Sequence, residues 1–502
     1  MARTDLPCPA HGQGRQNQIS VGDERMEPRD VPGLSIYGAS VVEQDGTTFF
    51  LARGAEGKVL GVAGETVGFV GEQRGEYLLC PLSPENAAAL RERLGWLRPQ
   101  PLGLKKSVGC GDRLGLATPG HIRAVRWAGD VAPILAQQSM RENARTGRSP
   151  QQVLDDALWG VFQEGWTEPW GADADHLKTT SDIDLCVAAG YTFFTVDPGD
   201  HVDNDAHCAT LAELRAKVQA LPCDALQNRP QDLYARYLGR RFEVEEMVLA
   251  FDEMSLARAA AKYGRAVAHT ANMYRHLGAV MGSRSFELEV SVDETETPTS
   301  PLEHYFIASE LQRLDVQWIS LAPRYVGRFE KGVDYIGDLA EFESELAKHA
   351  AIARQMGPYK LSIHSGSDKF SVYPIFARHA GDLVHLKTAG TSYLEALRAV
   401  AGVDPALFRE ILAFARERYD EDRATYHVSA HPARVPLPEE LDDDQLAGVL
   451  DLFDGREVLH VTFGSVLERF GERLRATLDA HEEAYYAALE VHFKRHLSPF
   501  VE

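Results

Sequence analysis

Two hydrophobic periods share this chain. From Gly33 to about Leu82 apolar residues fall in short runs parted by glycines, LSIYGASVV, TTFFLARG, KVLGVAG and EYLLCPL, the pattern of a small antiparallel β unit. SPENAAALRERLGWL then switches to helical spacing, with Ser83 placed as N-cap and Glu85 in the first turn, so residues 33–106 read as a β-rich subdomain with a connecting helix. Residues 1–32 are polar, rich in Pro, Gly and Gln, and aperiodic, which predicts a disordered tail.

Beyond Ser107 short apolar strands, each ending in a polar cluster, alternate with helical patterns, as in a parallel α/β sheet. Eight such strands begin at Arg113 (RLGLATPGH), Pro133 (PILAQQS), Trp170 (WGADADHL), Tyr191 (YTFFTVDPGDH), Phe286 (FELEVSVDE), Val316 (VQWISLAPR), Tyr359 (YKLSIHSGSD) and Asp382 (DLVHLKTAG). Eight parallel strands close a barrel, so the predicted fold is an α/β, TIM-like (β/α)8 barrel over residues 107–415. A doubly wound open sheet yields much the same alternation, and WGADADHL lacks a β-branched core. Residues from about 205 to 283 are predicted as a helical insertion near the strand ends, and 416–502 as a C-terminal extension in which EVLHVTFGSVL looks strand-like.

Composition narrows the function. The 502 residues are 44% hydrophobic, enough for a sizeable core, and carry 52 Lys plus Arg against 74 Asp plus Glu, a formal charge of -22. That charge repels phosphate backbones and anionic lipid, so neither nucleic acid nor membrane is an expected partner, while a small anion held by local cations is compatible. The six cysteines lack CxxC spacing and read as reduced thiols. With no secretory leader pattern and no apolar run of the roughly 20 residues that span a membrane, the expected location is cytoplasmic. The sequence leaves oligomeric state open, a homo-oligomer included.

In parallel α/β folds catalytic groups gather at the carboxyl ends of strands. TVDPGDHVDN presents Asp197, Asp200, His201 and Asp203 in one turn, and a carboxylate beside an imidazole suits a divalent metal. An Asp-rich capping turn is the bland alternative. IHSGSDKF sets His364 at a strand end, and His385 lies early in the next strand, so His201, His364 and His385 are the candidate metal ligands, with an acid of strand five as the alternative to His385, for zinc, manganese, nickel or cobalt. Glu287, Glu289, Ser291 and Asp293 alternate and share one strand face. If that face points inward, Glu289 and Asp293 join Asp200 as candidate acids or bases; if not, they form a salt-bridged strand. Gln138, Arg324, Asp368 and Lys369 are the candidate substrate contacts, with Arg113 and Lys387 as further cations near strand ends. No Walker sequence, GxSxG, HExxH or properly placed dinucleotide loop occurs.

GCGDRLGLATPGH, TTSDIDLCVAAGYTFFTVDPGDHVDN, IHSGSDKFSVYP, HLKTAGTSYLEALR and LHVTFGSVL together resemble the bacterial tagaturonate epimerase family, from about Gly33 to the C-terminus. The resemblance implies interconversion of D-tagaturonate and D-fructuronate in hexuronate breakdown, with a divalent metal. The inverted carbon lies one position beyond the carbon next to the ketone, so its hydrogen is not acidified and direct proton abstraction is disfavoured. Retro-aldol cleavage and re-addition fits better: a metal chelating the ketone and its neighbouring hydroxyl would stabilise the enediolate while a base takes the hydroxyl proton. The rival readings are a class II aldolase, an aldose–ketose isomerase and a non-catalytic sugar-acid-binding barrel.

Overall fold

A computed structural model describes residues 31–501. All but the last two residues of the expected tail lie outside the described residues. The N-terminal unit is a six-stranded antiparallel sheet of β1 (Ser35–Ile36), β2 (Val42–Gln44), β3 (Thr47–Gly54), β4 (Gly57–Ala63), β5 (Glu72–Arg74) and β6 (Tyr77–Pro81), ordered β1-β3-β4-β6-β5 with β2 also against β3. The period of 2 in β3 divides its apolar residues. Phe49 and Leu51 join the main core, whereas Phe50 and Ala52 pack with Tyr77 and Leu79 in a separate cluster. Ser83 caps the helix Pro84–Arg93 by accepting from the Asn86 amide.

Eight parallel strands close a barrel in the order β7 (Ser107–Gly111), β8 (Ala132–Ser139), β9 (Gly171–Leu177), β10 (Phe193–Val196), β13 (Glu287–Ser291), β14 (Ser320–Ala322), β15 (Lys360–Ile363) and β16 (Val384–Lys387). The closed barrel, rather than an open sheet, is therefore the architecture. A hairpin, β11 (Arg241–Val244) and β12 (Met247–Ala250), falls inside the stretch expected to be wholly helical. The helix Glu253–Met281, in that same stretch, packs between Thr180–Ala189 and Pro301–Arg313 and belongs to the barrel's outer ring.

Two strand assignments change. The first barrel strand is SVGCG, not RLGLATPGH. A Cβ on Gly111 would lie 2.5 Å from the Ala389 Cα, so the close approach to the loop after β16 demands a small residue and removes the branched signature of a strand. Arg113 onward is instead a loop wrapped on Asp112, whose carboxylate accepts from the amides of Leu114, Gly115 and Ala117 before the helix Thr118–Ala128 begins. EVLHVTFGSVL is helical, in Phe453–Val461 and Phe463–Ala480, because its buried apolar residues continue at helical spacing through Val466, Phe470 and Leu474.

The barrel's inward positions are polar where such barrels usually carry branched apolar chains. Lys387, fully buried, reaches Asp173 and Asp175 at 2.8 Å, Glu289 at 2.9 Å and the Thr195 hydroxyl at 2.7 Å. Outward residues such as Leu288, Val290, Leu361 and Leu386 lie in the main core. The final helix, Glu482–Leu497, packs against Thr118–Ala128 and Thr391–Val403. Among the described residues no helix is long and apolar enough to cross a membrane.

Candidate active site

The site is built on two irregularities. In β9 alternation turns Asp173 and Asp175 into the barrel, and simple continuation would send His176 out among the helices. One extra β9 residue stands opposite β10 between Phe194 and Val196, and His176 takes a φ of 51° there. This left-handed bulge swings His176 inward beside Asp175. In β8 the register also slips between Ile134 and Ala136, so that Gln137 donates to Asp175 at 3.0 Å. Gln138 instead bonds Thr146 and Arg148, among the surrounding helices.

Three donors converge where these strands end. The His176 and His364 Nε2 atoms are 2.7 Å apart, and the Asp175 Oδ1 is 3.4 Å from the latter. Each ring is fixed from behind by a carboxylate, His176 Nδ1 by Asp197 at 3.1 Å and His364 Nδ1 by Glu289 at 3.2 Å. With the Nδ1 protons donated to these acids, both Nε2 lone pairs face each other, an arrangement that wants a shared proton or a cation. Asp175, His176 and His364 thus fit a divalent ion, with imidazole and carboxylate donors suited to zinc, manganese, nickel or cobalt.

Electrostatics bind the cluster together. Burial alone would raise Glu289, but the Lys387 charge and the His364 hydrogen bond hold it well below the usual carboxylate range. Burial likewise opposes ionisation of Asp175, and Lys387 with both histidines brings it far down. Asp173 is pushed up to about 7, by burial first, with Lys387 opposing and the adjacent acids adding to the rise. His176 is raised to about 10 against its burial by Asp175, Asp197 and Glu294.

Above the cluster lies a two-armed cleft with His364, Ser365, Arg141, Lys331 and Tyr426 common to both arms. One arm adds Asp293, Glu294, Arg324 and Tyr325; the other adds Arg113, Gly390 and His460. Asp293 accepts from Ser291 at 2.6 Å and from Ser365 at 3.4 Å, and Lys331 Nζ is 3.1 Å from the same Ser365 hydroxyl.

The sequence-predicted residues separate accordingly. His364, Asp293 and Arg324 line the cleft, and Glu289 stands behind His364 as its support. His201 is exposed and stacks on His269 with ring centres 4.1 Å apart, away from His364. Asp200 is 70% exposed and pairs with Lys178. His385 bonds the Ser107 hydroxyl at 2.9 Å inside the barrel and is held neutral by burial, at about 3. Asp368 has a φ of 61° that turns it to Arg456 at 2.7 Å and His492 at 2.6 Å. Lys369 donates to the carbonyls of Glu330, Val333 and Ser367, leaving no donor for a substrate acid. Asp175, His176 and Lys331 were missed; the one legible trace was the Asp-Ala-Asp-His alternation of WGADADHL.

A closed parallel barrel with imidazoles, carboxylates and cations gathered at the carboxyl ends of its strands defines a (β/α)8-barrel enzyme. Residues 37–500 match the tagaturonate epimerase family, and the chain belongs to it. It is thus a carbohydrate epimerase of the isomerase class. A tagaturonate/fructuronate epimerase of Thermotoga maritima is 46% identical over 474 residues, 93% of this chain and 96% of the relative. The fructuronate-tagaturonate epimerase of Cohnella laeviribosi, with one glycerol bound, superposes with a TM-score of 0.89 at 39% identity over 93% of this chain and 96% of that one. Its native structure gives the same score and identity, over 93% and 97%.

Proposed function

We propose that this chain interconverts D-tagaturonate and D-fructuronate by retro-aldol cleavage and re-addition, using a divalent ion held by Asp175, His176 and His364. The observation that carries this reading is the pair of facing Nε2 atoms, each backed by a carboxylate, beside Asp293 in a cleft rich in cations. When bound, the ion supplies Lewis-acid stabilisation of negative charge on the ketone oxygen.

The chain's own groups do the rest. Asp293, oriented by Ser291 and Ser365, takes the proton from the hydroxyl of the carbon to be inverted. The bond between that carbon and its neighbour on the ketone side then breaks, its electron pair passing to the ketone fragment. Lys331 sets a positive charge beside Ser365, where the hydroxyl loses its proton. Rotation of the aldehyde fragment and re-addition on its other face, with the proton returned by Asp293, gives the epimer. The rings of Tyr325, Phe329 and Tyr426 wall the cleft and limit water. A cytoplasmic enzyme of hexuronate catabolism fits the net charge of -22 and the small-molecule cleft.

The test is elemental analysis of the purified protein together with turnover of D-tagaturonate before and after chelation. Conversion to a six-carbon product, lost on chelation and restored by one of the four metals, supports the reading. Three-carbon products accumulating from the wild type would favour an aldolase, and unchanged turnover after complete metal removal would exclude the metal site.

A further inference from the structure

The second arm of the cleft holds two polar groups without partners. Arg113 is 4% exposed; its Nε and Nη2 clasp Glu142 at 2.8 and 2.6 Å, and its guanidinium lies 3.7 Å over the Phe463 ring, yet Nη1 has no hydrogen-bond partner. His460 is 2% exposed and its Nδ1 is also unpartnered. A buried N–H left unmade is costly, so Arg113, always charged and fixed on its other sides with one donor open, is prepared for a ligand.

Between them the helix Thr391–Val403 starts at Gly390, with no side chain capping it. The Thr391 amide reaches the Thr388 carbonyl at 3.4 Å, and the amides that follow it, with the helix dipole, favour an anion. A Cβ at Gly390 would sit 1.8 Å from His460 Nε2, so glycine is what lets the ring lie against the helix start. The place is also telling, since it follows the eighth strand, where (β/α)8 barrels commonly bind anionic groups. Of the other cations, Arg141 pairs with Glu294 at 3.2 Å and Lys369 spends its donors on three carbonyls, while Lys331 gives one donor to Ser365. Among the described residues of the cleft, Lys331, shared by both arms, and Arg324, whose Nε is unpartnered in the opposite arm, compete.

We propose that Arg113, His460 and the start of the helix Thr391–Val403 form the subsite that binds the substrate's carboxylate. This deepens the epimerase reading and rests on it. The carboxylate belongs to the aldehyde fragment released when the carbon–carbon bond breaks. Anchored here, that fragment turns about the bond next to its aldehyde carbon without leaving, which is how an epimerase differs from an aldolase sharing the same cleavage.

The experiment compares Arg113→Gln, His460→Ala and Arg324→Gln, each first shown by circular dichroism to be folded. Expected for Arg113→Gln are a roughly 100-fold rise in KM for D-tagaturonate, the loss of one charge-assisted pair, and an inhibition constant for neutral D-tagatose within threefold of wild type. Three-carbon fragments should also appear, which a merely structural lesion would not produce. His460→Ala, which leaves the Arg113–Glu142 pair intact, should raise KM about tenfold with the same selectivity. Equal weakening of acid and neutral sugar, or a selective KM rise in Arg324→Gln and not in Arg113→Gln, would overturn the subsite. Calorimetry with D-galactonate against galactitol tests it independently of turnover: wild type should prefer the acid and Arg113→Gln should not. Absence of D-tagaturonate turnover in wild type would defeat the epimerase reading alone; absence of the acid preference would defeat the subsite alone.

Discussion

Replacing Lys387 with methionine tests the electrostatic account of the barrel interior. Three carboxylates, Asp173, Asp175 and Glu289, lie within 2.9 Å of its Nζ. At an effective dielectric of about 20 each contact is worth roughly 6 kcal/mol in gross Coulomb energy. Most of that is offset by desolvating a lysine and three acids, so the measured cost of removing one partner of such a cluster is about 3–5 kcal/mol. Methionine keeps the stem's bulk, which confines the loss to charge. Lys387 presently holds Asp175 and Glu289 well below ordinary carboxylates. Without it their folded pKa values rise above the unfolded ones, so the folded variant binds the extra protons and its stability falls as pH rises through the raised values. Urea unfolding should therefore show a deficit of about 3–5 kcal/mol at pH 8 that shrinks at pH 5.5, and elemental analysis should show reduced metal. Equal deficits at both pH values would refute the reasoning and point to packing instead.

Asp293→Asn should lower kcat by about 10² to 10⁴ with KM and folding near wild type, and full turnover would remove Asp293 as the base. His176→Ala should lose both metal and activity, whereas His201→Ala, altering an exposed stacked ring, should keep both; elemental analysis and an epimerase assay decide. Glu457 lies against Glu330, and both accept from the Ser429 amide, at 3.1 and 2.9 Å. Burial and the neighbouring acid push Glu457 up to about 8, so the folded state binds more protons than the unfolded chain from about pH 4.3 to 8, and stability falls across that window. Glu457→Gln should flatten the decline in urea midpoint, and a slope parallel to wild type would exclude the shared proton.

Much of the fold was legible because strands β8 to β10 and β13 to β16 carry apolar outward residues and end in polar clusters. β7 was not, since Gly111 serves a close backbone approach to Ala389 and Gly109 lies against the Gln137 side chain, neither offering a core residue. In the site, His364, Asp293 and Arg324 follow from strand-end position alone. His176 does not, because a bulge sets its direction, and a bulge lies in pairing between distant strands rather than in local sequence. Asp368 and Lys369 mislead for a related reason: the left-handed turn at Asp368 commits them to Arg456, His492 and the carbonyls of a neighbouring loop. His201 and Asp200 share a loop with Asp197, yet only Asp197 supports a cluster histidine.

His460, Arg456 and His492 come from helices that emerge last, yet they touch a barrel whose first strand begins at Ser107. During synthesis the eight strands can pair before the cleft is finished, with Asp368 and Arg113 waiting for partners not yet made. Clipping the final helix would leave the loop behind His364 without its histidine clasp. The cleft's second arm is thus completed by residues that follow every strand of the barrel, whereas the metal donors and Asp293 precede its last strand.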